Sequence, residues 1–394
     1  MEIIEKKLLI TDFGAVPSPA DSTSAMRAAI DACGPNDAVV IPKGSFKCGT
    51  VRLKSNMTLF FEDGAVMLMS DDYKDYLTDG SWSWRCAGFT AQDCENITVV
   101  GQGVLDGQNC FCPLGEEGFR GPHMIIMDRC RNVSFRGFTV RDSANYAILL
   151  NDCYDCVVDG INVIAGHDGV HTQRCKNFSI QNCTFRTGDD SIAGSDNSNF
   201  VISQCYFNTA CNALRFGGEN VTVENCRFQG PGEFMHRLEG RLASLHAFIN
   251  FAPADRSTSI PVRNWTVRNI TADHMLSLYN LNSKREWQDG PMAQNILFED
   301  VVCTNMQEAV KIDDGGCHCS AVTLRRCRLH LDPSVEPQPL IDAVSFDSLT
   351  LEDVTLDNDG RGVGISAKNG SLLRLSDLNG NTQYTVENVT EVIK

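Results

Sequence analysis

Four segments of the chain recur at a fixed step of 22 residues: Ala144–Leu150 (ANYAILL), Gly166–Thr172 (GHDGVHT), Gly188–Gly194 (GDDSIAG) and Ala210–Phe216 (ACNALRF). Their third positions are Tyr146, Asp168, Asp190 and Asn212, and their fifth are Ile148, Val170, Ile192 and Leu214. A constant period with one apolar column restricts the chain to stacked coils, each burying its apolar side against the next. A second signature, Asn followed by alternating apolar residues, starts at Asn96, Asn132, Asn177, Asn199, Asn220, Asn264 and Asn295. Its central steps are 22 and 21 residues, and the step of 44 from Asn220 to Asn264 reads as two coils. Fainter copies start at Ala321, Ser348 and Leu372. Short β-branched strands with Asn, Gly and Asp at the corners predict an all-β chain. The expected form is a single-stranded, right-handed parallel β-helix, rising about 4.8 Å per coil. Leucine-rich repeats have a similar period, but their Leu-x-x-Leu-x-Leu frame is absent.

The first 60 residues read as a cap plus first coils. Ser22, Thr23 and Ser24 offer N-cap oxygens, Met26, Ala29, Ile30 and Cys33 follow helical spacing, and Gly34-Pro35 ends the helix. Strands are expected at 38–41, 50–53 and 58–61. An N-terminal capping helix would cover the exposed core and strand edges of the first coil. The whole chain, 1–394, reads as one domain, with regular coils over 94–390 and insertions at 229–262 and 280–293. The last insertion carries Trp287, and the irregular stretch 70–92 carries Tyr73, Tyr76, Trp82 and Trp84. Such aromatics either stack on sugar faces or pack their own loops.

A net charge of −16 leaves no basic excess for nucleic acid or an anionic membrane. No stretch reaches the roughly 18 apolar residues of a membrane span, and the N-terminus lacks a signal-like apolar run. Of the 18 cysteines, Cys130, Cys175, Cys183, Cys205 and Cys226 fall at one repeat position. Small side chains in register predict an internal ladder of thiols and a reducing, cytoplasmic setting. Cys317-His318-Cys319 lacks a second ligand pair, so no metal is expected there.

The coil register brings Asp168, Asp189 and Asp190 together. Carboxylates so close repel, so one should hold a proton while the others are ionised. Cleavage of a glycosidic bond needs that division: an acid for the leaving oxygen and carboxylates to activate water. A lone Asp at a corner commonly bonds backbone amides instead. Three in register, flanked by His167 and His171, point to catalysis. A neighbouring column runs Leu149, His171, Ala193, Arg215 and Arg237. Its guanidiniums could hold a substrate carboxylate or hydroxyls, or pair with Glu219 or Glu239. His236 and Glu219 are further substrate-binding candidates.

The opening DFGAV…AMRAAIDAC…VVIPKGSFKCGTVRLKSNMTLFFEDGAVM and the central turns resemble the polygalacturonase family (glycoside hydrolase family 28) of pectin-lyase-like β-helices, over roughly residues 10–330. The family's Asn-Thr-Asp-Gly turn matches Gly166-His167-Asp168-Gly169, and its Gly-Asp-Asp turn matches Gly188-Asp189-Asp190. The resemblance implies Asp189 as general acid, with Asp168 and Asp190 positioning and deprotonating water for inversion. Two motifs depart from the family. Its Gly-His-Gly falls on Ala210-Cys211-Asn212, and its Arg-Ile-Lys falls near Arg237-Leu238-Glu239, with Glu in place of Lys. His171 or His236 could stand in for the missing histidine. The resulting expectation is an exo-acting, inverting glycoside hydrolase on oligosaccharides from pectin or related glycans, with no cofactor and no resident metal. Homo-oligomerisation is left open. Two other readings remain: a Ca²⁺-dependent lyase or epimerase with Arg215 or Arg237 as base, and a non-catalytic glycan-binding β-helix.

Overall fold

Asparagine turns one recurring corner in most coils, with Asp155 in its place in one of them. In the computed structural model Asn96, Asn132, Asn177, Asn199, Asn220, Asn264 and Asn295 have φ between 52° and 57°. That left-handed backbone costs most L-residues about 1–2 kcal/mol, and Asn is one of the few that adopt it readily. The side chains then pair from coil to coil. Asn132 Nδ2 donates to Asn96 Oδ1 at 2.7 Å, and Asn96 Nδ2 donates to Asn56 Oδ1 at 2.7 Å. Farther along, Asn264 donates to Asn220 and Asn295 to Asn264, both at 3.1 Å.

The structure describes residues 4–77, 79–242, 246–250, 260–282, 293–313 and 319–394. Trp287, Cys317 and His318 lie outside the described residues. The described residues are all-β with one α-helix, and the chain forms two compact units: Met1–Asp189 with Arg237–Glu239, and Asp190–His236 with Gly240–Lys394.

In the first unit the strands pair in parallel along three ladders. One carries Ala87–Gln92, His123–Asp128, Ile148–Asn151 and Val170–Gln173. The second carries Met57–Phe61, Glu95–Gly101, Arg131–Arg136, Tyr154–Asp159 and Lys176–Gln181. The third includes Val104–Asp106, Thr139–Arg141, Asn162–Ile164 and Thr184–Thr187. Successive strands of the second ladder share one burial alternation, which puts Val133 and Phe135, Cys156 and Val158, then Phe178 and Ile180 inside. Gly101 lies at a corner with φ 139°, where a Cβ would sit 1.9 Å from the Phe61 carbonyl oxygen, so only glycine fits. The helix Thr23–Ala32 buries Met26, Ala29 and Ile30. Its first turn is capped by Asp21, whose Oδ1 accepts the Thr23 N–H at 2.9 Å. Ser22, one of the three expected cap candidates, makes no such bond.

The second unit has longer strands, among them Ile192–Ser203, Asn212–Glu224, Arg263–Asp273 and Gln294–Met306, again parallel. Here two expectations are corrected. Val221 pairs directly with Trp265 and Val223 with Val267, so the 44-residue step is one coil carrying an insertion. The other end of the same strand pairs with His246–Asn250, setting Leu214 against Phe248 and Arg215 against Ile249. Arg237 therefore does not continue the Arg215 column; the insertion carries it off the ladder.

The described cysteines are free thiols, buried except for the half-buried Cys94 and Cys211. In the first unit the Cys130 N–H points at Cys153 Sγ (3.4 Å), Cys153 Sγ donates to the Asn151 carbonyl (3.2 Å), and Cys175 Sγ to that of Gln173 (3.5 Å). No disulfide joins Cys130, Cys153, Cys156, Cys183 or Cys226. Burial pushes the Cys156 thiol up to about 12. Among the described residues no helix is long and apolar enough to cross a membrane.

The corner argument is checked by chemical denaturation of two variants. Asn96→Ala loses both amide rungs and strains the left-handed corner, for an expected destabilisation of about 1–3 kcal/mol. Asn96→Gly keeps the conformation and should lose about half as much.

Candidate active site

Pairing of Ile148–Asn151 with Val170–Gln173 places Leu149 beside His171 and fixes the turn before them. The Ala147 N–H donates to the Asp168 carbonyl at 2.9 Å. Gly166 has φ 77°, and a Cβ there would come within 2.8 Å of the Ser143 carbonyl oxygen. Asp168 is buried, and its Oδ2 lies 3.0 Å from His171 Nδ1. The His171 ring stacks flat on Tyr146, with centroids 4.6 Å apart and planes 5° from parallel. Tyr146 in turn meets His123 at 4.9 Å, and Trp84 stands edge-on to both rings. Trp82 packs instead against Tyr73 of its own loop.

His123 has a defined tautomer. Its Nδ1 accepts the Tyr146 N–H at 3.2 Å, so Nε2 carries the proton that it gives to the Trp84 carbonyl at 3.0 Å. Burial pushes its pKa down to about 3, and nearby Arg120 and Arg85 add to that. This ring is a neutral support under the column.

Asp189 sits in a different environment. The Thr187 hydroxyl donates to its carbonyl at 2.8 Å, while its side chain reaches partly into solvent. Arg120 Nη2 is 3.2 Å from Asp189 Oδ2, and Arg120 Nε donates to Glu117 Oε2 at 2.6 Å. Burial works against the Arg120 charge, but Asp189, Asp168 and Glu117 outweigh it and raise its pKa. A carboxylate oxygen of Asp168 lies within 4.8 Å of one of Asp189. His167 is buried with Nδ1 3.9 Å from Asp189 Oδ2, beyond hydrogen-bond range. Burial pushes its pKa down to about 4, Asp189 opposing and Arg120 and Arg237 reinforcing. Its ring faces Phe119 at 5.8 Å, and the Arg237 guanidinium lies 5.7 Å over the same Phe119 ring. Arg237 Nη1 donates to Asn109 Oδ1 at 2.9 Å.

In the second unit Asp190 is buried, accepting from Asn212 Nδ2 at 2.6 Å on one oxygen and from Arg215 Nε on the other. Asn212 Nδ2 is also 3.3 Å from Cys211 Sγ. Where the family has its histidine, this chain therefore ties Asp190 with an amide. Glu219 is an ion-pair partner of Arg263 (2.7 Å to Nε), not of Arg215. His236 is buried at the head of a tight turn, its N–H donating to the Arg241 carbonyl at 2.9 Å.

Arg120, Phe119 and Asn109 were not among the residues expected from sequence. They come from 107–122, a Gly-, Pro- and Cys-rich connection between the strands Val104–Asp106 and His123–Asp128. Its length was the available signal, since it is far longer than the corners that join neighbouring strands.

The buried neutral histidines predict an acid-side loss of stability. Below an unfolded pKa of about 6.5, the unfolded chain takes up a proton that folded His123 refuses until about pH 3. Its stabilisation is complete above pH 6.5 and falls as pH drops, by up to about 1.4 kcal/mol per pH unit. Urea midpoints between pH 7 and 4.5 should fall, and His123→Phe should reduce that slope by about one proton.

The Glycosyl hydrolases family 28 profile matches residues 34–211. A polygalacturonase of Medicago sativa is 26% identical over 329 residues, covering 77% of this chain and 67% of that one. An exo-poly-alpha-D-galacturonosidase of Dickeya chrysanthemi is 26% identical over 256 residues, 48% of this chain and 42% of that one. Among solved structures, the family 28 exopolygalacturonase of Yersinia enterocolitica superposes with TM-score 0.72 at 19% identity, covering 98% of this chain and 78% of that one. Profile and relatives agree that the chain is a relative of glycoside hydrolase family 28, and its fold is that of the Yersinia enterocolitica enzyme.

Proposed function

We propose that this hydrolase removes sugars from the end of pectin-derived or closely related oligosaccharides, with inversion at the cleaved carbon. The observation that carries the reading is the contrast between two carboxylates of the first unit, with oxygens within 4.8 Å of each other. Asp168 is buried and braced by His171, whereas Asp189 is partly open to solvent. Two neighbouring carboxylates in unlike surroundings divide acid and base roles between them. Asp189 protonates the leaving oxygen; Asp168 orients water and takes its proton. Substrate end-specificity rests on the relatives named exo-acting, such as the Dickeya chrysanthemi protein.

His171 is the stand-in for the missing family histidine. It touches the carboxylate of Asp168 directly and is held flat by Tyr146. A calcium-dependent lyase fits less well. Asp168 faces an imidazole and Asp189 and Asp190 each face a guanidinium, so the acids are already charge-compensated, unlike an oxygen cage for Ca²⁺.

The finer architecture belongs to the same proposal: right-handed coils, the helix Thr23–Ala32 as an N-terminal cap, and a single domain. Buried thiols such as Cys130 and Cys153 support a reducing, cytoplasmic setting. An oligosaccharide is the proposed partner, in place of nucleic acid or membrane.

Proton NMR of the reaction tests the chemistry. The first-formed product should have the anomeric configuration opposite to the bond cleaved, and monosaccharide or one fixed short product should dominate from the first turnover. Retention, or a ladder of internal fragments, would overturn inversion or exo action respectively. His171→Ala should lower kcat by about 10²–10⁴, the range for an acid–base partner, with KM changing far less.

A further inference from the structure

Tyr146 occupies, one coil before Asp168, the repeat position that carries the acid. Its backbone is held from the preceding coil by two bonds. The Tyr146 carbonyl accepts the Met124 N–H at 3.0 Å, and the Tyr146 N–H donates to His123 Nδ1 at 3.2 Å. The first is an ordinary rung; in the second, a side chain stands where a neighbouring coil would offer a carbonyl. His123 is buried, and it is neither one of the acids nor a direct partner of one. Its other nitrogen is committed as well, since Nε2 gives its proton to the Trp84 carbonyl at 3.0 Å. That bond selects the tautomer whose Nδ1 lone pair faces Tyr146. The segment around Trp84 is fixed in turn. Arg85 pairs with the buried Asp128, and the Cys86 carbonyl accepts the His123 N–H at 3.0 Å. On its other side Tyr146 packs against Ala87, Ile126 and Leu149, and its ring is the flat surface on which His171 lies. His171 then meets Asp168 at 3.0 Å. Each link from Trp84 to Asp168 is a direct contact within the first unit.

We propose that His123 is a positioning residue for the reaction: through the Tyr146 N–H it sets where the Tyr146 ring lies, and so how His171 meets Asp168. A stacked pair fixes the planes of its rings but leaves them free to slide. A hydrogen bond to the backbone under one ring removes that freedom. A phenyl group would fill the same volume and keep the ring contacts, so the two hydrogen bonds are what the imidazole adds. Catalytic geometry is sensitive to such support, because a misplacement of about 1 Å costs about 10²-fold in rate. The inference rests on the hydrolase reading for its effect on turnover, but the effect on His171 is separable from it.

Asparagine and glutamine divide the two bonds of a neutral imidazole. The Asn amide oxygen reaches the place of Nδ1, and the Gln amide nitrogen reaches that of Nε2. His123→Asn therefore keeps an acceptor for the Tyr146 N–H, while His123→Gln keeps a donor for the Trp84 carbonyl. Both lose the ring, so a packing role alone costs both alike. The two are compared at a temperature where circular dichroism shows them folded. On pectic oligosaccharides His123→Gln should lower kcat about 10- to 100-fold, with KM changing less than about threefold. His123→Asn should recover most of that loss. Adding His123→Gln to Tyr146→Ala should cost no more than Tyr146→Ala alone, since both cut the same path. NMR signals of the His171 ring, assigned by their loss in His171→Gln, give a readout without glycan. They should shift in His123→Gln and stay near wild type in His123→Asn. Equal kcat losses in the Asn and Gln variants would overturn the positioning role, as would unmoved His171 signals in His123→Gln. Shifted His171 signals in a chain whose wild type cleaves no oligosaccharide would instead overturn the hydrolase reading and leave the positioning of His171 standing.

Discussion

The left-handed asparagine at the corner is the constraint on which the other features depend. It turns the chain with φ near 55° at one point per coil, and its amide bonds to the equivalent amide one coil away. With that corner set, the parallel register cannot slip without breaking both the amide rungs and the inward alternation of residues such as Val133 and Phe135. The candidate acids Asp168 and Asp190 are held through that register. Asp168 reaches His171 because Leu149 and His171 share a rung, and Asp190 reaches Asn212 because Ile192 and Leu214 do.

Within this frame the surroundings of each acid differ by design of the sequence rather than by distance alone. Asp168 has an aromatic column behind it, ending in a histidine that burial keeps neutral. Asp189 has a buried arginine before it, and Asp190 has an arginine and an amide. Fixed partners of this kind set protonation and orientation before substrate arrives, which is how a site stabilises developing charge at little reorganisation cost. At the turn that resembles the family's histidine motif, Asn212 bonds to Asp190, while the imidazole of His171 meets Asp168.

Much of this was legible in the sequence where the period is strict. The columns through Ile148, Val170, Ile192 and Leu214, and the Asn signature, identified coils and brought the acids forward, because a fixed step translates directly into a shared rung. Legibility ended where the period broke. Counting another 22 residues placed Arg237 after Arg215, but the insertion adds length without adding a coil, and Ile249 takes that rung. The partners of Arg237 and Asp189, Phe119 and Arg120, lie on a connection with no repeat of its own. Periodicity carries no information about where such a segment folds back. The helix cap shows the same limit at small scale, since Ser22 and Asp21 are both competent caps and only the backbone decides between them.

The central claim is that Asp189 donates a proton to the leaving oxygen of a glycosidic bond. Its most direct measurement is reducing-end release from a panel of pectic oligosaccharides by wild type and by Asp189→Asn, with unchanged circular dichroism. The account predicts turnover by wild type and a loss of at least about 10²-fold in kcat for the variant, with substrate still bound. Turnover by Asp189→Asn equal to wild type would contradict it.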